Sequence, residues 1–252
     1  FIKFIVILGI IPKTYIPNYN EFYEGRWFAP STNRISDAIT LCEQEIIFSE
    51  NLLFRDNLSS LCVGVDVCED LWVNIPPSSY HTMYGANLIL NLSASNEAVG
   101  KADYRRDLVK MHSSKCITSY VYTSAGEDES TTDLVFSGHC MIAEDGKLLE
   151  EDKLSDGFIY SDIDLEKINS KRANCNVYMS NLERRNYKYV NFNLGCIENV
   201  ELEGFVNPMP FVPSIEDRDR RLSDILNIQA TGLYQRMKKI NAKKAIIGIS
   251  GG

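Results

Sequence analysis

LCVGVDVCEDLW, residues 61–72, is an apolar run that stops at a cysteine and passes directly into acidic and aromatic residues. Its length and its valines predict a buried strand, part of a longer run SLCVGVDVC over 60–68. A side chain at such a strand end can project into a cleft, with the next backbone N–H turned toward a developing oxyanion. Cys68 is therefore the candidate nucleophile. A cysteine attacks an acyl carbon as its thiolate, so it requires nearby positive charge and partial access. On its own the pattern is weak, because a strand-end cysteine is more often a small buried hydrophobe.

Working outward, similar runs at 5–11, 86–93, 116–125, 138–151 and 157–165 also read as strands. Asp145-Gly146 at the centre of 138–151 is a hairpin signal. Residues 102–115 have helical spacing, with Tyr104, Leu108 and Met111 predicted on one side. Strands alternating with helices and followed by a hairpin predict an α/β sandwich rather than a purely parallel sheet. Residues 166–204, polar and rich in tyrosine and asparagine, support no assignment. The three prolines of FVNPMPFVPS (205–214) predict an extended linker between a domain over 1–204 and the start of a second over 215–252. Ser214 with Asp217 reads as a capping box opening a helix that carries Leu222, Leu226, Leu233, Met237 and Ile240 at helical spacing. KKAIIGISGG (243–252) then reads as a strand entering a glycine loop. Because the chain starts at Phe1 and stops inside that loop, further segments of the active protein are expected at both ends.

Composition narrows the classes. A net charge of −8 with scattered lysine and arginine excludes the basic face that nucleic acid needs. The longest apolar run is too short to span a bilayer, so no membrane partner is expected. Seven cysteines, an odd number without regular spacing, argue against a disulfide framework and for a reducing, cytoplasmic setting. His112 and Cys116, four apart, could share a helix face. With no CxxC pair and dispersed histidines, however, no metal site is expected.

The second chemical element is PKTYIPNYNEFYEGRWF, residues 12–28. Lys13 follows an apolar run and a proline, where it could stabilise a thiolate and then an oxyanion. By residue type alone it is more often a solvated lysine after a strand, and the aromatic density around it is more often core or interface than a cofactor wall.

Together the two segments resemble the nitrilase superfamily of amidases, which uses a Glu–Lys–Cys triad. The match is closest to the glutaminase domains of glutamine-dependent NAD synthetases. PKTYIPNYNEFYEGRWF resembles that family's lysine motif and GVDVCEDLWV its cysteine motif. ANLILNLSASNEAVGKADYRR (86–106), SAGEDESTTDLVFSGH (124–139) and the helix leading to IGISGG (247–252) follow in the family's order. The resemblance implies a nitrilase-like α-β-β-α sandwich, with a C-terminal helix and strand beginning an ATP-pyrophosphatase domain. It also implies Cys68 as nucleophile, Lys13 as triad lysine, and Glu24 as a second glutamate orienting that lysine. The triad glutamate is expected upstream of residue 1. Tyr19, Ser95 and Lys101 match glutamine-binding positions, Lys101 standing where some relatives have arginine. Trp72 matches a pocket wall, and the N–H of Glu69 an oxyanion donor.

Ser250, Gly251 and Gly252 resemble the opening of an SGGxDS phosphate loop. The implied reaction hydrolyses glutamine with no cofactor, and the ammonia then amidates deamido-NAD with ATP and magnesium in the complete synthetase, expected to be a homo-oligomer. The rival readings are a free-standing amidase acting on another amide and a non-catalytic assembly domain.

Overall fold

The structure, a computed structural model, describes residues 6–130, 133–153, 157–178, 180, 184–195, 208–209, 212 and 217–248. The chain divides into two compact units, Phe1–Glu201 and Leu202–Gly252.

The first unit is a mixed α/β structure. β1 (Ala38–Leu41) and β2 (Gln44–Ile47) form a two-stranded antiparallel ribbon. Its turn places both Cys42 and Glu43 at positive φ, 50° and 61°, a geometry usually left to glycine or asparagine. Seven strands form the main sheet: β3 (Leu52–Asp56), β4 (Cys62–Val67), β5 (Leu88–Ser93), β6 (Ser119–Ser124), β7 (Cys140–Glu144), β8 (Lys147–Asp152) and β9 (Lys188–Phe192). They lie in the order β8-β7-β6-β5-β4-β3-β9. β4, β5 and β6 run parallel, as do β3 and β9, and the remaining pairs are antiparallel. The mixed sheet is as expected, and the β7–β8 hairpin turns at Asp145-Gly146, where Gly146 has φ 86°.

Two helices cover one face of the sheet. α1 (Pro77–Met83) starts with proline in its first turn, a position where the missing N–H costs nothing, and packs on β4. The approach is close at Gly64: a Cβ there would lie 3.0 Å from His81 Cβ and 3.0 Å from Ile89 Cδ1. α2 (Lys101–Cys116) packs on β6, β7 and β8. The core beneath the helices contains Leu53, Ile89, Val109, Tyr120, Tyr122 and Met141.

α2 fills the predicted span, but of the three residues predicted on one side only Leu108 packs against the core. Tyr104 is 61% and Met111 69% exposed, whereas Ala102, Arg105, Val109, His112 and Cys116 are buried. Burial here follows polar satisfaction rather than hydrophobicity, because Arg105 and His112 both have partners inside.

Two predicted strands do not form. The run at 6–11 makes a single bridge, Ile10 to Phe48, and the Ile7 N–H is taken by the Gln44 side chain instead of a ladder. Residues 157–164 lie outside the sheet, with Phe158 and Tyr160 exposed. Side chains hold this segment: Glu144 accepts from the Asp164 N–H at 2.8 Å and from Lys167 Nζ at 2.7 Å. Asp164 then caps α3 (Leu165–Ala173), an element not foreseen, as α1, β3 and β9 were not. From α3, Arg172 reaches the strand-start carbonyls of Ile117 (2.8 Å) and Ala86 (2.7 Å), bracing the sheet at the end opposite Cys68.

In the second unit the described helix, α4 (Arg218–Lys239), opens with Asp217 at its N-cap position. Ser214, most of the proline linker and the Ser250–Gly251–Gly252 loop lie outside the described residues. Residues 243–248, read as a strand, are unpaired among the described residues. No helix among the described residues is long and apolar enough to cross a membrane.

Candidate active site

β4 ends at Val67, and Cys68 takes the chain off the sheet with φ 51° into a tight helical turn, Cys68–Leu71. A residue with a Cβ seldom occupies that left-handed region, so the turn holds it there. The thiol is half-buried and free of any disulfide. Cys68 thus lies at a strand end, where the sequence pattern placed it, with its thiol partly accessible.

The segment carrying Lys13 is fastened to this turn by one buried carboxylate. Asp70 accepts the Val67 N–H at 2.9 Å with one oxygen and the Tyr15 N–H at 2.9 Å with the other. Burial pushes its carboxyl above the ordinary range, and the backbone donors and the Lys13 charge oppose that rise without cancelling it. Lys13 is mostly buried, and its ammonium donates to Glu24 at 2.7 Å, so the two residues predicted to act together are paired.

Around the turn lies a set of polar groups suited to an amino acid. Tyr19 donates to Glu69 at 2.9 Å; burial first, and then that carboxylate, push the phenol up to about 12. Lys101, on the first turn of α2, donates to Asn96 and sits 5.5 Å from the Trp72 ring centroid and 5.7 Å from that of Phe22. Burial and the neighbouring Arg105 cation lower its pKa, while Glu21 and Cys68 pull the other way. Trp72 itself lies against Tyr104, with centroids 5.6 Å apart. Ser95 is buried, its hydroxyl accepting from Arg105 at 3.2 Å. Cys68, Lys13, Glu24, Tyr19, Glu69, Trp72, Ser95 and Lys101 thus come from three separate stretches of sequence to the C-terminal ends of β4 and β5. This is where open parallel sheets place ligands.

Several residues at the site were not anticipated. Glu21 accepts from the Asn96 side chain at 2.8 Å, and Asn96 accepts in turn from Lys101. This polar string needs the loops after Lys13 and after β5 to meet, which no local pattern announces. Arg105 is fully buried and forks to Glu97, His139, Ser95 and the Asn96 carbonyl. Because a guanidinium only donates, His139 Nδ1 must accept, so Nε2 carries the proton and donates to Glu151 at 2.8 Å.

Asp66, in β4 below Cys68, is also fully buried. It accepts from the Ser78 N–H at 3.0 Å and from the Tyr120 hydroxyl at 3.0 Å. Burial dominates, and its pKa is raised to about 7. Between pH 4 and 7 the folded chain therefore holds a proton at Asp66 that the unfolded chain releases, so this group's contribution to stability falls as pH rises through that window. Buried His81 and His112 act oppositely: burial lowers each to about 4, and their contribution rises between pH 4 and 6.5. Comparison with Asp66→Asn isolates the first effect. Relative to the unsubstituted protein, the variant should gain stability steadily from pH 4 to 7 in urea titrations. A pH-independent difference would refute the assignment.

A thiol at a sheet end, an ammonium clamped to a carboxylate on the adjoining segment, and a second ammonium walled by rings make an arrangement suited to covalent acyl transfer. No family model matches the chain. It is 37% identical over 258 residues to the glutamine-dependent NAD(+) synthetase of Mycobacterium leprae, covering 98% of this chain and 38% of that protein. It is 30% identical over 263 residues to the enzyme of that name from Thermotoga maritima, again covering 98% of this chain and 38% of the relative. A crystal structure of a glutamine-dependent NAD(+) synthetase from Cytophaga hutchinsonii superposes with a TM-score of 0.47 at 30% identity, over 58% of this chain and 23% of that one. On the sequence relationship across nearly all of its residues, the chain belongs to the family of the glutamine-dependent NAD(+) synthetases, spanning 38% of the length of these two curated relatives.

Proposed function

We propose that this chain hydrolyses the side-chain amide of glutamine and releases ammonia for the amidation of deamido-NAD in the full-length protein. The observation that carries the reading is the Asp70 staple, which fixes the Lys13–Glu24 pair on the turn that Cys68 opens. In this reading the Cys68 thiolate attacks the amide carbon and forms a tetrahedral intermediate. The Lys13 ammonium and the Glu69 N–H hold the oxyanion. Collapse breaks the C–N bond, a general acid protonates the departing nitrogen, and ammonia leaves a Cys68 thioester. Water then cleaves the thioester to glutamate and regenerates the thiol. Tyr19, Ser95 and Lys101 hold the amino-acid end, and Trp72 walls the pocket.

ATP and magnesium serve the second reaction, for which the Ser250, Gly251 and Gly252 loop is proposed. No step is assigned through that loop, because it lies outside the described residues. A cytoplasmic homo-oligomer is proposed for the complete protein.

The test is Lys101→Ala. If Lys101 meets the substrate carboxylate, KM for glutamine should rise by about ten- to a hundredfold, with kcat at saturation little changed. Losing a charge-assisted contact costs ~1.5–3 kcal/mol. An unchanged KM would remove Lys101 from the pocket.

A further inference from the structure

At Val67 the ladder between β4 and β5 ends, with Val67 opposite Leu92. The Cys68 N–H therefore has no ladder carbonyl to meet, and at φ 51° the backbone is already leaving the sheet. A side chain takes over: Asn91 Oδ1 accepts the Cys68 N–H at 3.2 Å and the Ser93 hydroxyl at 2.7 Å.

The orientation of that amide is set from below. Asn91 is 1% exposed, and its Nδ2 donates to the Tyr120 hydroxyl at 2.9 Å. Tyr120 passes its own proton to Asp66 Oδ2 at 3.0 Å. The Cys68 N–H can only donate, so it takes the amide oxygen, and the amide NH2 turns to the Tyr120 oxygen, whose own hydrogen is directed at Asp66 Oδ2. The opposite edge of the amide, its carbonyl oxygen, then faces Cys68. A flip would set the Asn91 NH2 against the Cys68 N–H, donor to donor.

We propose that Asn91 is a positioning residue that holds Cys68 in its left-handed attack geometry, with Tyr120 and Asp66 fixing the direction of its amide. The proposal rests on the reading of Cys68 as nucleophile. It goes further by placing the control of the thiol's aim on β5 and β6, away from the residues that meet substrate.

The start of β4 and the residue leading into β5 supply a matched control. At the start of β4, Asn87 Oδ1 accepts the Cys62 N–H at 2.9 Å, a side-chain-to-backbone bond of the same kind at the far end of the strand. Asn87→Ala removes an equivalent buried bond without touching the Cys68 turn.

Asn91→Ala, Tyr120→Phe and Asn87→Ala should be compared in the full-length protein, with rates expressed per folded molecule. Asn91→Ala should lower kcat for glutamine hydrolysis by ~10- to 100-fold with KM for glutamine nearly unchanged, since a misaimed nucleophile loses rate rather than binding. The rate at which a glutamine-like diazoketone alkylates Cys68 should fall in parallel. Tyr120→Phe, which keeps the amide but frees its orientation, should give a smaller fall of the same kind. Asn87→Ala should lower stability alone. The proposal is overturned if Tyr120→Phe leaves both kcat and alkylation untouched, or if Asn87→Ala loses as much kcat as Asn91→Ala. Should Asn91→Ala not fold, the Tyr120→Phe arm decides. The reading beneath it fails separately, if the unsubstituted protein is not alkylated at Cys68 at all.

Discussion

Cys68→Ala in the full-length protein should abolish glutamine-dependent NAD formation while leaving ammonia-dependent formation largely intact. Without the sulfur no thioester can form. Of the described cysteines, Cys62 and Cys116 are buried, and burial pushes both thiols up, away from the reactive thiolate. Loss of an enzyme's nucleophile removes on the order of a thousandfold or more in turnover, because the remaining groups can stabilise charge but cannot supply the covalent step. Ammonia offered as a salt enters after that step, in the reaction proposed for the part of the protein beginning at the Ser250–Gly252 loop. The measurement is two parallel assays with ATP and deamido-NAD, one with glutamine and one with ammonium. Retained glutamine activity would show that Cys68 is not the nucleophile. Loss of both activities in a folded variant would show that the two reactions are energetically coupled through Cys68.

Much of this candidate site was legible because its residues sit in short, dense words of sequence. The valine-rich run before Cys68 is a strand as read, and the Asp145-Gly146 turn and the span of α2 also follow from local pattern. What was not legible depends on partners far away in the chain. β3 pairs with β9 across well over a hundred residues, so neither announces itself locally. The apolar run at 6–11 looks like a strand yet finds one bridge, because apolarity shows what a segment can bury and not what lies beside it. On α2, Tyr104, Leu108 and Met111 were predicted on one side, yet of the three only Leu108 packs against the core, while Arg105 is buried. The burial of Arg105 is decided by Glu97, Ser95 and His139, whose arrival around it requires the sheet to be assembled first. Asn91 and Asp66 are silent in the same way, since their contacts follow from strand register.

The buried guanidinium leads to the second large effect, which concerns stability. Arg105 has no exposure, and its four partners are the Glu97 carboxylate (3.2 Å), His139 Nδ1 (2.8 Å), the Ser95 hydroxyl (3.2 Å) and the Asn96 carbonyl (3.1 Å). Burial pushes Glu97 up, but the Ser137 hydroxyl and Arg105 more than offset this and leave it below the usual carboxylate range. Arg105→Met keeps the length of the side chain and removes every donor. Glu97 would then retain only the Ser137 hydroxyl, and the His139 acceptor would face an apolar chain. Deleting one partner of a buried ion pair costs about 3–5 kcal/mol, and the loss here belongs at the lower end of that range because the Glu97 side chain keeps 16% exposure and one donor. The urea midpoint should therefore fall by roughly 1–3 M at ordinary denaturant sensitivity. Arg105→Lys, which restores the charge but not the planar fork, should recover part of the loss and not all of it. The double variant Arg105→Met with Glu97→Gln should be less damaged than the two single losses added together, since removing both charges relieves the stranded carboxylate. Additive losses would mean that Arg105 acts through packing alone, and that the polar cluster under Ser95 and Lys101 is held by the backbone and not by this side chain.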